Sequence, residues 1–187
     1  MIYPIVTYGN PLLRTKSDNV QKGSKLNIKQ LVDDMFETMH KAEGLGLSAI
    51  QVGIPLNVFV IEAHNEDVGI NFRGTFINPV ILKEWGPKIN YTEGCLSLPY
   101  LTASVERNEY IEIEWYDENW IKHLEQFSGM EARIIQHEYD HLQGNLFIDK
   151  LNKMWKSALE DPIELIKNNQ IEVPYLIKNA VDKPTKS

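Results

Sequence analysis

Apolar residues near the start of the chain recur at intervals of three and four, which is typical of a helix with one buried face. The pattern predicts a helix from Asn27 to about Glu43, with Gly44 as the C′ residue that ends it. Burial alone explains a stripe of this spacing, so we interpret Met35 and Met39 as core residues rather than cofactor ligands. The other apolar positions of the stripe are Ile28, Leu31, Val32 and Phe36.

Strand patterns fill the middle of the chain. Residues 110–116 alternate apolar and charged side chains, which indicates a strand with one solvent-facing side. A turn at 117–119 and a returning strand over 120–127 complete a predicted hairpin. The polar segment 62–74 is interpreted as a loop, and residues 1–26 as an irregular arm. Further strand candidates lie at 58–61, 75–78, 79–84, 88–93 and 105–107.

The last strong helix signal begins at Ser128, a good N-cap residue, and Glu131 completes a Ser-x-x-Glu capping box. We predict a helix from Ser128 to Gly144. A short amphipathic helix is predicted over 151–158, ending before the next proline, and the tail beyond Pro174 is predicted to be loosely ordered. The predicted fold is α+β, with antiparallel or mixed sheets packed around a central helix.

Length and composition favour one globular domain over residues 1–187. Hydrophobic residues make up 43% of the chain, and no run approaches the roughly 18 apolar residues of a membrane helix. We therefore expect no membrane partner. The first residues lack the pattern of a secretory signal or a transit peptide, which predicts a cytoplasmic location.

Charge and cysteine content limit the classes of function and the cellular compartments that fit the sequence. A net charge of −7 argues against specific nucleic-acid binding, because that needs clustered Lys and Arg. Cys95 is the only cysteine, which excludes an internal disulfide and fits a reducing compartment. From Lys150 to Ser187 there are seven Lys and five acids, so this end is a candidate contact for an anionic partner such as the ribosome surface, although a solvated tail is the simpler explanation.

The chemistry centres on His137 and His141, which stand four positions apart and share one face of the predicted helix. A single histidine on such a face is usually a core residue. Two imidazoles one turn apart can instead bind one metal ion, and Glu138 lies beside them to accept a proton from water. The motif predicts a metal-assisted hydrolase.

A catalytic metal site usually has three protein ligands. Phe147 stands where a metzincin requires its third histidine, which excludes that class. Two candidates for the third ligand stay open on spacing alone. One is a downstream carboxylate, Glu160 or Glu164, as in a zinc endopeptidase, and the other is Cys95.

Three segments in order carry a family resemblance. Gly44–Gln51 reads Gly-Leu-Gly-Leu-Ser-Ala-Ile-Gln, Glu93–Ser97 reads Glu-Gly-Cys-Leu-Ser, and Gln136–Gly144 reads Gln-His-Glu-Tyr-Asp-His-Leu-Gln-Gly. They resemble the three motifs of peptide deformylase, and the second and third match at every specified position. Ser48 departs from the usual Ala of the first motif, and Trp120 stands where many members have Gly.

The resemblance implies a hydrolase that removes the formyl group from the N-terminal formylmethionine of new polypeptides, so the partner is a formylmethionyl nascent peptide. It implies a catalytic core of about residues 1–150 and a C-terminal extension over 151–187. The metal ligands would be Cys95, His137 and His141, and the metal is generally Fe²⁺ in the family. In purified protein Zn²⁺, Ni²⁺ or Co²⁺ can take its place.

The same resemblance gives other residues a task. Glu138 would act as base and then as acid, while the Gln51 side chain and the Leu96 backbone N–H would stabilise the formyl oxygen. The peptide would add as a strand along Gly44–Leu47, with Gly46 allowing close approach.

For three further residues of the predicted helix, the position on the helix suggests a role. Ile134 and Met130 lie one and two turns before His137 and would line the methionine pocket, although a plain core role explains them equally well. Asp140 points away from the metal face, where it would pair with Arg107 or remain an ordinary surface carboxylate. A non-catalytic binding protein of the same fold is disfavoured because Glu138 and Gln51 are present.

Overall fold

A computed structural model describes residues 1–65 and 70–178. The strands are β1 (Ile5–Val6), β2 (Gly46–Ser48), β3 (Val58–Asn65), β4 (Ile70–Cys95), β5 (Leu98–Tyr116), β6 (Lys122–Ser128) and β7 (Ile177–Lys178). The α-helices are α1 (Ile28–Lys41), α2 (Gly129–Leu142), α3 (Lys153–Ala158) and α4 (Glu160–Lys167). Short 3₁₀ helices occupy Pro11–Arg14, Ala49–Val52 and Phe147–Lys150.

Five of the strands form one antiparallel sheet in the order β2-β3-β4-β5-β6, and β1 pairs with β7 in a separate parallel pair. Helix α2 contacts strands β2 to β6 of the large sheet. The predicted α+β class, with sheets around the motif-bearing helix, is therefore confirmed.

The strand pieces predicted in the middle of the chain merge into two long strands, β4 and β5, that pair along their length. Register shifts interrupt the pairing between Ile77 and Val80 and between Trp85 and Lys88, which are the places where the predicted pieces were separated. Such irregularities bend a strand without ending it. At the far end, Cys95 pairs with Leu98, so the metal-ligand candidate sits at the turn between the two strands.

The predicted loop over residues 62–74 is wrong at 62–65 and 70–74, because β3 continues to Asn65 and β4 begins at Ile70. Residues 66–69 of that prediction lie outside the described residues. Glu62 pairs with Arg73 across the two strands. Ala63 and Ile70 face the core while their neighbours are polar. The polar outer face of the hairpin dominated the composition and hid the alternation.

Helix α1 begins where it was predicted, since the Asn27 side chain accepts a hydrogen bond from the Gln30 N–H at 3.1 Å. Met35 and Met39 are fully buried, which confirms their core role. Both pack with residues of β2 and β3.

The end of α1 differs by one residue from the prediction. Glu43, not Gly44, occupies the C′ position with φ 57°, and its N–H bonds to His40 O. The Gly44 N–H then bonds to Met39 O at 2.9 Å. These two bonds form a Schellman motif that satisfies carbonyls at the end of the helix.

Helix α2 starts directly after Ser128, as predicted, but the Ser128 side chain makes no capping hydrogen bond, so the predicted capping box does not form. Ser128 is also the last residue of β6, where it pairs with Tyr110. The helix ends at Leu142, and Gly144 follows with φ 76°. A Cβ on Gly144 would lie 2.8 Å from Arg14 O, so glycine is needed there for both conformation and space.

The returning arm of the β5–β6 hairpin begins at Lys122, whereas the prediction started it at Trp120. Trp120 lies in the turn with φ 61° and bonds through its N–H to Asp117 O. This left-handed conformation favours glycine.

The C-terminal extension is more regular than predicted. Helix α3 confirms the predicted short helix, but Pro162 does not end the helical region, because it lies in the first turn of α4, where its missing N–H has no intrahelical partner to lose. The tail was predicted to be loosely ordered, yet Ile177 of β7 pairs with Ile5 of β1. Residues 179–187 of that tail lie outside the described residues.

The core is divided among clusters of buried residues that involve different elements. Ile135 and Leu142 of the helix pack with the aromatic residues of the large sheet. Leu159 and Ile166 of the extension are buried against a third cluster that includes Val105 of β5. Within the described ranges, no helix is long and apolar enough to cross a membrane.

Candidate metal centre

The turn after β4 and the inward face of α2 bring three potential ligands together. Atoms of Cys95, His137 and His141 all lie within 4.8 Å of one another. Cys95 Sγ is 3.3 Å from His141 Nε2. His141 is buried, while Cys95 and His137 are half-buried at the edge of a cleft. The two histidines come from one helical face, and only the fold brings the thiol to them.

This donor set fits a divalent transition metal. Metal–ligand bonds of about 2.0 to 2.3 Å at tetrahedral angles separate ligand atoms by about 3.3 to 3.8 Å, close to the observed thiol–imidazole spacing. His137 Nδ1 lies 2.9 Å from Glu93 Oε2, which leaves Nε2 as its ligand atom. Burial and the nearby His137 hold the pKa of His141 well below its ordinary value, which favours the neutral ring that binds metals.

The alternative third ligand is not supported. Glu160 and Glu164 are exposed on α4. The group found among residues 1–65 and 70–178 with metal-binding geometry contains Cys95 and the two histidines and neither of these glutamates.

Behind His137, the buried Glu93 carboxylate accepts hydrogen bonds from several charged groups. Arg107 donates to both of its oxygens, at 2.7 and 2.9 Å, and Arg133 donates at 2.8 Å. Burial alone would raise the pKa of Glu93, but the hydrogen bonds from Arg107 and His137 hold it well below its ordinary value. Glu93 is therefore a fixed anion that orients the His137 ring.

The predicted pair between Arg107 and Asp140 is confirmed, since Arg107 Nη1 donates to Asp140 Oδ2. Lys150 also lies 3.2 Å from the same oxygen. The roles of Glu93 and Arg133 in this charge network were not predicted from the sequence. Both had a signal, because Glu93 opens the second motif and Arg133 stands one turn before His137 on α2.

In front of His137, the Glu138 carboxylate is buried beside strand β2. The Ser48 hydroxyl lies 2.7 Å from Glu138 Oε2 and 2.9 Å from its backbone oxygen. Burial raises the pKa of Glu138. A Cβ on Gly46 would lie 2.6 Å from Glu138 Oε1. Gly46 was predicted to make room for a peptide, and the structure shows that it already makes room for this carboxylate.

Gln51 is buried next to the thiol. Its Nε2 lies 3.6 Å from Cys95 Sγ and donates to Ser97 Oγ at 3.1 Å, while its Oε1 accepts from the Ser48 N–H at 2.9 Å. The side-chain amide is thus held in one orientation with its donor end at the metal-ligand candidate.

The centre opens into a cleft of about 460 Å³. The predicted substrate residues Gly44, Gly46, Met130 and Ile134 all line it, together with Leu96. Ile134 is also buried in the core cluster of α2, so its pocket and core roles coexist. Pro174 and Tyr175 of the extension line the cleft as well, and no pattern in the sequence indicated this.

A thiol, two imidazoles and a buried carboxylate at the head of a peptide-sized cleft define a metal-dependent hydrolase. The model of the polypeptide deformylase family matches residues 2–157, and the chain belongs to this family. It is accordingly an enzyme that removes the N-formyl group from nascent peptides, and the endopeptidase alternative is not favoured.

Relatives and solved structures agree with this assignment. The chain is 43% identical to a peptide deformylase of Cytophaga hutchinsonii over 98% of its own length and 100% of the relative. The structure of peptide deformylase from Plasmodium falciparum matches with a TM-score of 0.80 and 37% identity, covering 88% of this chain and 95% of that one. Peptide deformylase from Ehrlichia chaffeensis in complex with actinonin matches with a TM-score of 0.81 and 34% identity, covering 91% and 99%.

Proposed function

We propose that deformylation takes place at the head of this cleft, with Cys95, His137 and His141 holding one divalent metal ion and Glu138 transferring protons. The observation that carries the proposal is the convergence of the three ligand atoms within 4.8 Å at the cleft that Glu138 lines. The roles of the individual residues rest on this geometry together with the family motifs.

The metal that we propose for the cell is Fe²⁺. A thiolate with two imidazoles suits Fe²⁺ and Zn²⁺ alike, so the donor set supports either ion, and the choice of iron follows the family. Zn²⁺, Ni²⁺ or Co²⁺ would occupy the same three ligands in purified protein.

A bound divalent metal supplies Lewis-acid chemistry, polarising the formyl group and lowering the pKa of water. Glu138 accepts the proton of the attacking water and returns it to the leaving amine, a double role that suits a carboxyl whose pKa is raised by burial. Ser48 holds one Glu138 oxygen and so orients the carboxylate for both steps.

Negative charge on the formyl oxygen requires hydrogen-bond donors. Gln51 Nε2 and the Leu96 N–H are the proposed donors, and the Gln51 amide is oriented by its bonds to Ser48 and Ser97. Loss of one such donor costs about 3 kcal/mol of transition-state stabilisation.

The peptide is proposed to bind in extended form along Gly44–Leu47. Strand β2 supports this, because within residues 1–65 and 70–178 it pairs with β3 alone and so forms an edge of the large sheet to which another strand can add. Met130 and Ile134 would contact the methionine side chain. Residues 1–187 are proposed as one domain with the catalytic core up to about residue 150, and the buried Leu159 and Ile166 of the extension support this unity.

Two finer predictions concern the cell. The exposed Lys153, Lys156 and Lys167 on α3 and α4 support a contact between the extension and the ribosome surface. A cytoplasmic location is supported by the single free thiol at the centre, which needs a reducing compartment.

The test is formate release from formyl-Met-Ala-Ser by protein loaded with ferrous iron without oxygen, with bound metal measured by elemental analysis. We expect one metal ion per chain and turnover, and both should be lost in Cys95→Ala. The matched control is Ser157→Ala, an exposed change on α3. Absence of turnover by the freshly loaded protein would reject the proposal.

A further inference from the structure

The cleft has one wall that the family match does not cover. The polypeptide deformylase model ends at residue 157, whereas Pro174 and Tyr175 line the cleft beside Leu96. We name the segment Ile171–Lys178 the C-terminal strap. It crosses from the end of the extension helices to strand β1.

Backbone pairing and side-chain contacts hold the strap at several points. The Ile5 N–H bonds to Leu176 O at 2.8 Å, and the Thr7 N–H bonds to Lys178 O at 3.2 Å. Tyr100, at the rim of the cleft, donates its hydroxyl to Glu172 O at 2.8 Å. Ile171 packs against the cluster that also contacts Cys95. The strap is therefore a fastened part of the fold rather than a loose tail.

Tyr175 connects the strap to the metal centre. Its hydroxyl donates to Leu96 O at 2.9 Å, and its ring is half-buried at the cleft. Leu96 directly follows the ligand candidate Cys95 in the turn between β4 and β5. On the other side of the turn, the Tyr8 N–H bonds to Ser97 O at 2.8 Å. The two bonds hold consecutive carbonyls of the turn.

We propose that the C-terminal strap forms a wall of the cleft that takes part in substrate binding, and that Tyr175 is a positioning residue. Its hydroxyl fixes the Leu96 peptide group, and its ring contacts the peptide substrate. The inference rests on the proposed function, in which the Leu96 N–H faces the formyl oxygen. Once the hydrogen bond from Tyr175 is lost, the Leu96 carbonyl can rotate together with the neighbouring peptide group, which carries the Leu96 N–H. The hydroxyl of Tyr175 should therefore affect turnover, while its ring should affect substrate binding.

Two variants of Tyr175 separate the hydroxyl from the ring. Tyr175→Phe keeps the ring and removes the hydrogen bond, so we expect kcat for formyl-Met-Ala-Ser to fall about threefold to tenfold with KM unchanged. Tyr175→Ala also removes the ring, so KM should rise in addition, by at least about threefold. Bound metal and Tm should stay at the wild-type values in Tyr175→Phe.

The control is Tyr3→Phe, which also deletes one phenolic hydroxyl, but one that bonds to Asp34 outside the cleft. It should leave kcat and KM unchanged. Kinetic constants of both Tyr175 variants within twofold of wild type would overturn the proposal. So would a loss of activity that merely follows a loss of metal and Tm, because that is the signature of a structural role.

Hydrogen exchange tests the positioning without any turnover. In Tyr175→Phe, amides of the peptide covering residues 95–98 should exchange about fivefold faster than in wild type, because the turn loses one hydrogen bond. Unchanged exchange there would overturn the positioning role. Failure of wild-type protein to release formate would count against the proposed function. The exchange result tests the positioning role of Tyr175 independently of turnover.

Discussion

The regions behind and in front of His137 each contain one buried glutamate, and the two glutamates differ in their partners. Glu93, behind the ring, accepts hydrogen bonds from two guanidinium groups and from His137, and its pKa is held well below the ordinary value. Glu138, in front, has the Ser48 hydroxyl as the partner of its carboxylate, and burial raises its pKa.

Their burial is nearly the same, with exposed fractions of 6% for Glu93 and 4% for Glu138. Desolvation therefore disfavours both anions, and only Glu93 has enough nearby positive charge to overcome it. Charge compensation therefore separates a fixed orienting anion from a carboxyl that can gain and lose a proton.

The largest effect is expected from Glu138→Gln, which keeps the shape of the side chain and removes its proton transfer. We expect kcat to fall about 10² to 10⁴-fold with bound metal unchanged, measured by formate release and elemental analysis. Glu131→Gln, in the first turn of the same helix, is the control. A kcat within tenfold of wild type would contradict the assigned role.

Glu93→Gln breaks the other region. It leaves the buried Arg107 and Arg133 without their shared anion, so stability should fall by about 3 to 5 kcal/mol in urea unfolding. Metal affinity should fall about 10 to 100-fold in chelator competition, because His137 loses its orienting partner. Glu106→Gln replaces an exposed carboxylate of β5 and should change neither. Equal stability and equal metal affinity of the Glu93→Gln and Glu106→Gln variants would refute the role of Glu93 as a fixed orienting anion.

Gly46→Ala tests the space around Glu138. The added Cβ would meet Glu138 Oε1 at 2.6 Å, so the carboxylate must shift, and we expect kcat to fall about 100-fold with stable metal binding. The same change in a Glu138→Gln background should add little, because the misplaced group is already inactive. Full additivity of the two changes would indicate that Gly46 acts on the substrate instead.

The smallest effect is expected from Ser48→Ala, which introduces the usual residue of the family. Loss of the hydroxyl frees one Glu138 oxygen, and we expect kcat to fall by about threefold to tenfold with KM constant. Ser104→Ala, on strand β5, serves as the control. An unchanged kcat in steady-state assays would show that Ser48 does not orient the carboxylate.

Much of the site could be predicted from the sequence, but to different depths. The pairing of Arg107 with Asp140 was predicted from the position of Asp140 on the helix face away from the metal, and the structure contains it. The same reasoning passed over Glu93 and Arg133, although both face the same cluster. Each looks on its own like an ordinary charged residue, and a charge network of this kind exists only when strands and helix meet.

Local signals determined α1 and α2 from the sequence alone, including the face that carries His137 and His141, because helical spacing acts within a few residues. The motif resemblance added Cys95 to them. Only the tertiary structure decided that the middle strands merge into one hairpin and that β7 pairs with β1. It alone placed Tyr175 against Leu96, because such contacts join residues far apart in the chain, and no local pattern records them.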